Sequence, residues 1–247
     1  MDINRILEKL DSYFSRNDYE GAERHLKYWM DEATATDDQR GRLSVCNELI
    51  GLYRKVGNAQ KAFECVDTAL DIIRAIGIED SVSAATTYIN AATAYKAFDR
   101  AEESLPLFER ALTVYERYLE PTDPRLGGLY NNYALTLADL HRFADAYNYF
   151  DKALEVMSGT ERGELEQAIT YLNIADTTVA HRGLFDSADE LDHLLPEAMA
   201  LLDKYKDADD GYYAFVCEKC APVFDYYGYF AYKNELEERA RRIYERN

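Results

Sequence analysis

Small and bulky apolar side chains recur along this chain with two superimposed periods. At the short period, apolar positions fall three and four residues apart. Tyr88, Ala91, Ala92 and Tyr95 form one such stripe, and Phe143, Ala146, Phe150, Ala153 and Leu154 form another. Steps of three and four return to the same side of an α-helix, so each stripe predicts an amphipathic helix. At the long period, one small residue recurs at Ala62, Ser104, Ala146 and Ala188, 42 residues apart each time. The same flanking pattern precedes each marker: Cys46, Leu49, Ile50 and Tyr53; then Tyr88 to Tyr95; then Tyr130, Tyr133, Ala134 and Leu137; then Leu172, Ala175 and Val179. Weaker copies flank these four, at Ala22 on one side and at Cys220, Ala221, Phe224, Gly228 and Phe230 on the other.

Each repeat reads as two helices joined by a short polar turn, such as Lys55-Val56-Gly57-Asn58 or His181-Arg182-Gly183-Leu184. Gly57 and Gly183 suit the left-handed residue that closes a helix C-terminus. The small residues let two helices approach closely, and the aromatic side chains opposite fill the remaining gap. One helix pair cannot bury its stripe alone, so neighbouring pairs must stack. One boundary between repeats is marked by Glu120-Pro121-Thr122-Asp123-Pro124-Arg125: Asp123 is a good N-cap, and Pro124 suits a first helical turn. No stretch is rich in Pro, Gly or Ser, so a single all-α domain over residues 1–247 is expected, clearest over 43–190 and weaker over 1–42 and 209–247.

These residues resemble the tetratricopeptide repeat family, and the spacing of 42 resembles its longer, kinesin-light-chain-type variant. The shorter form of that family has about 34 residues per repeat. Tyr130-Asn131-Asn132-Tyr133-Ala134 is similar to the variant's Leu-Asn-Asn-Leu-Ala run, and Pro124 sits at its inter-repeat proline. The resemblance implies a right-handed α-solenoid of about six helix-turn-helix repeats, whose first helices line a concave face that binds peptides or protein segments. The sequence departs from the pattern at Asp192, where a large apolar residue is expected, and at Pro196, so an irregular second helix is predicted in the fifth repeat.

On each first helix, residues one step round from the packing stripe face the groove. Asparagine recurs there, at Asn47, Asn90, Asn131, Asn132 and Asn173. Its amide offers a donor and an acceptor, so a row of them can pair with successive main-chain groups of an extended peptide. The alternative is that these residues cap helices, bridge neighbouring helices or are solvated. Arg54, Lys55 and Lys96 add a local positive spot suited to an acidic side chain or a peptide C-terminus, and His181 completes the candidate set. The basic residues of the family's chaperone-tail clamp have no full counterpart here, so that role is disfavoured. Near the C-terminus, Tyr212, Tyr213, Tyr226, Tyr227, Tyr229 and Tyr232 suit the packing of a last, irregular repeat or an interface with a second copy of the chain. The charged last helix, with Glu235, Glu237, Glu238, Arg239, Arg241 and Arg242, fits a polar end cap.

Charge narrows the partners. A formal net charge of −18 repels phosphate backbones and anionic leaflets, so neither nucleic acid nor membrane is an expected partner. The N-terminus lacks a basic stretch followed by an apolar run, and four cysteines without such a signal suit a reducing compartment, so a cytoplasmic protein is expected. Cys217 and Cys220 fall on the apolar stripe, which favours packing over metal binding. The four histidines show no metal-ligand spacing, and no phosphate loop or nucleophile elbow occurs. The sequence therefore predicts no enzyme, cofactor or metal. It predicts a protein-interaction scaffold, with a peptide-sensing regulator acting in trans as the alternative.

Overall fold

A computed structural model describes residues 2–246. The described elements are all helical and follow one another in pairs, and the chain divides into two compact units, residues 1–118 and 119–247. The first unit holds α1 (Ile3–Phe14) with α2 (Tyr19–Ala35), α3 (Gln39–Lys55) with α4 (Ala59–Ala75), and α5 (Val82–Ala97) with α6 (Ala101–Tyr118). The second holds α7 (Pro124–Asp139) with α8 (Phe143–Ser158), α9 (Gly163–Arg182) with α10 (Ala188–Asp203), and α11 (Gly211–Tyr226) with α12 (Phe230–Tyr244); a 3-10 turn, Phe185–Ser187, precedes α10. Helices pack within each pair and against neighbouring pairs of the same unit. No described helix is long and apolar enough to cross a membrane.

The turns inside the pairs follow the long period. Gly57, Asp99, His141 and Gly183, spaced 42 residues apart, all adopt positive φ, and Asn17 and Gly228 do the same in the outer pairs. Gly57 follows α3 with positive φ as expected, whereas Gly183 has positive φ but an extended ψ of 159°, outside the left-handed helical region. Asp123 caps α7 by accepting from the Arg125 amide at 3.0 Å, with Pro124 in the first turn, again as expected. Asp18, Asp38, Asn58, Ser81 and Asp210 cap other helices in the same manner, each satisfying an amide that the helix leaves without a partner.

Ala22, Ala62, Ser104 and Ala146 are fully buried where paired helices approach. The fifth marker is different. Ala188 is exposed, and Ser187 is buried in its stead, its hydroxyl donating to the carbonyls of Thr178 and Gly183. The 3-10 turn after Gly183 needs fewer residues per revolution than an α-turn, so the buried position comes one residue earlier. The same shift explains Asp192: it faces solvent, while Leu191 takes the buried place held elsewhere by Val66, Phe108 and Phe150. Contrary to the expected irregularity, α10 runs unbroken through Pro196. That proline is exposed, so the carbonyl it leaves unpaired one turn earlier lies on the solvated side.

The last pair also corrects two expectations. Phe230 is exposed, and Tyr232 packs inward instead, edge-on to Phe224 at 4.9 Å between centroids. Arg239 is buried, not part of a solvated cap: its guanidinium donates to Tyr213 Oη at 2.9 Å and Asp203 Oδ1 at 2.8 Å, and also to Glu235. Among the C-terminal tyrosines, Tyr213 and Tyr232 are core residues, whereas Tyr212 and Tyr226 remain exposed.

Candidate functional site

The asparagines occupy the junctions between neighbouring first helices. In the first unit, Asn47 on α3 donates through Nδ2 to its own helix at Leu43 O and across to Thr87 Oγ1 on α5, at 3.1 and 3.0 Å. Asn90 on α5 donates back to Asn47 Oδ1 at 2.9 Å. In the second unit, Asn173 on α9 donates to Asn131 Oδ1 on α7 at 3.0 Å, and Asn131 is buried. Asn132 turns its amide to Gly128 O, one turn back on α7, at 2.9 Å. The structure thus brings together Asn47 with Asn90 and Asn131 with Asn173, in the bridging arrangement that the sequence leaves open beside peptide binding. Each bridge uses one donor and one acceptor of amides that have more to offer. Asn90, Asn132 and Asn173 remain half-buried.

The basic candidates are less uniform. Arg54 and Lys55 are exposed at the end of α3; Lys55 Nζ lies 5.7 Å from the Tyr19 ring centre, and partial desolvation lowers the pKa of Arg54. Lys96 is half-buried at the end of α5. His181 stands apart from the amides: its ring stacks on Phe143 of α8 at 4.3 Å between centroids, with Tyr147 on the same side.

In the second unit, the amides open onto a cleft of about 640 Å³ at the beginnings of α7, α9 and α11. Asn131, Asn132, Arg162, Glu166, Tyr212 and Lys219 contribute to its lining. Arg162 holds φ at 58° just before α9, and its guanidinium pairs with Asp210 at 2.8 Å and lies over Tyr205 and Tyr212. Tyr212 donates its hydroxyl to Glu166. Gly163 must be glycine, because a Cβ there would lie 1.9 Å from the Met157 carbonyl oxygen. Gly128 instead leaves open space on the cleft floor. The cleft therefore presents amides, one aromatic ring and charges of both signs, which suits hydrogen bonding to a polar main chain.

Residues 43–121 match the tetratricopeptide repeat family model. Over those residues the chain carries tetratricopeptide repeats. No curated protein matches it in sequence. Among solved structures it is similar to BtubC (BKLC) from P. vanneervenii, 21% identical with a TM-score of 0.65, over 83% of this chain and 78% of that one. A Podosopora anserina protein of kinesin-light-chain type with nearly identical TPR-like repeats is 18% identical, with a TM-score of 0.57 over 82% of this chain and 94% of its own. A Rap protein complexed with Competence and Sporulation Factor is 13% identical, with a TM-score of 0.60 over 98% of this chain and 63% of that one. At such identities the likeness is one of fold, an all-α stack of helix pairs.

Several residues of this cleft carry no signal in the sequence pattern. Arg162, Glu166 and Lys219 look like ordinary surface charges on amphipathic helices. Cys217 and Cys220 lie in the core of the last helix pair, where burial pushes their thiols up to about 11 and about 12. They are held protonated there, as expected of packing residues.

Proposed function

We propose that this chain is a non-catalytic protein-interaction module that holds an extended segment of a partner against its first helices. The observation that carries this reading is the open cleft of about 640 Å³ that Asn131 and Asn132 help to line. Amides with spare capacity can pair with the repeating main-chain groups of a segment whatever its side chains. In the first unit Asn90 offers the same amide chemistry and Arg54, Lys55 and Lys96 add positive charge, and His181 belongs to the second unit's candidate set. The bridges also serve this role, since an amide fixed by its neighbour loses less rotamer freedom when a peptide binds.

The test is a titration with a synthetic segment of a partner captured by the intact chain. Asn132→Ala is expected to weaken binding about tenfold, the effect of one or two lost hydrogen bonds. Undiminished affinity in that variant overturns the amide assignment.

A second reading, a sensor that changes curvature on binding and acts on an effector in trans, is favoured by the likeness to a Rap protein complexed with a factor. Small-angle scattering with and without the same peptide separates the two: compaction supports the sensor, and an unchanged profile supports the scaffold.

A further inference from the structure

Counting back seven residues from the positive-φ turn residue of a pair reaches Ile50, Ala92 and Ala134 in three pairs and Ala221 in the last, all buried apolar side chains. In the fifth pair the same count reaches Asp176. It stands exposed in a cleft of about 440 Å³ between α9 and α11, whose wall is otherwise apolar: Val179, Pro222, Val223 and the Tyr226 ring. Tyr227 donates its hydroxyl to Asp176 Oδ1 at 2.8 Å, and no cationic side chain among the described residues pairs with the carboxylate. The apolar wall strips water from the carboxylate and raises its pKa, against the opposing effect of the Tyr227 bond. An exposed carboxylate with apolar neighbours and no cationic partner in the chain is suited to meet a cation from outside. Tyr226 is 69% exposed and nearly perpendicular to Tyr227, and an exposed aromatic ring is a suitable partner for a cation.

We infer that this cleft receives a lysine or arginine side chain that a partner segment presents among apolar residues. The inference rests on the segment-binding reading above and specifies the chemistry of the partner. Charge complementarity selects the occupant: the carboxylate takes the cationic head, and Val179, Val223 and Tyr226 cover the aliphatic stem. Ala180 of the same cleft occupies the turn-relative position of Arg54 and Lys96, which places the cleft beside the proposed binding face.

Random dodecapeptides displayed on phage are selected on the intact chain and on two variants. Asp176→Asn keeps the shape and the acceptor for Tyr227, and Asp176→Ala installs the side chain that other pairs carry at this place. The wild-type chain is expected to enrich peptides with Lys or Arg flanked by apolar residues. A synthetic peptide of that consensus is expected to bind either variant at least about tenfold more weakly. Selected peptides without a basic residue, or affinities indifferent to both substitutions, overturn the inference and leave the segment-binding reading standing. Failure of the wild-type chain to enrich any peptide overturns both. Sedimentation as a dimer that Asp176→Asn dissociates makes the occupant a second copy of the chain, and also overturns it.

Discussion

His141 holds φ at 58°, a conformation in which the Cβ of an L-residue crowds its own carbonyl oxygen. Gly57 and Gly183 fill the equivalent turns without that cost, and Asp99 shares it. The His141 ring returns a little through its edge-on contact with Phe143 at 5.7 Å. Balancing the two, His141→Gly is expected to stabilise the chain by about 0.5–1 kcal/mol, read as a higher urea midpoint with unchanged slope. A lower midpoint would show that the aromatic contact outweighs the backbone strain. Gly57 announces its turn in the sequence because a glycine just after a helical stripe suits a positive φ. Asp99 and His141 announce nothing by residue type, and only their spacing of 42 from the glycines marks them.

At the scale of the helix, the fold was legible because it rests on periodic burial, while the site was not, because polar side chains choose among partners. The asparagines lie on the first helices and bridge to their neighbours there, and the sequence alone does not distinguish an amide that meets a peptide from one that meets the next helix. Glu23 is a similar case: it reads as a surface charge on α2 but joins three helices. Lys27 of α2 and Lys61 of α4 approach its carboxylate at 2.7 and 2.8 Å, and Tyr53 of α3 donates to it at 2.9 Å. These partners, Lys27 first, hold its pKa down to about 2 from an ordinary 4.5. A depressed carboxylate contributes stability that is present above the unfolded pKa and lost as pH falls through the folded one. Both lysines are more than a third exposed, so solvent screening limits the contribution to about 1 kcal/mol. Glu23→Gln is therefore expected to be about 1 kcal/mol less stable than the wild type at pH 7. Denaturation curves should show that difference shrinking below pH 4.5 and vanishing toward pH 2. A difference independent of pH would mean that shape, not charge, is what Gln fails to reproduce.

For the whole molecule, the open matter is whether 247 residues that divide into two compact units behave as one domain. The division falls after Tyr118, just before Pro121, Asp123 and Pro124. The repeat phase does not register it: Asp99 and His141, one on each side, keep the same step of 42 as Gly57 to Asp99 within the first unit. An independent domain joined by a linker would have no reason to preserve that step. We propose on this ground that the six pairs unfold as one cooperative domain, since stacked repeats share stability through nearest neighbours. Calorimetry is then expected to give a single transition with equal calorimetric and van't Hoff enthalpies. The same scan on Glu23→Gln, which perturbs only the first unit, sharpens the test. In one domain the whole transition shifts, whereas in two the heat splits and only the portion belonging to residues 1–118 moves. The latter result would make each unit of three pairs a module in its own right and would assign the cleft of Asn131 and Asn132 to the second alone.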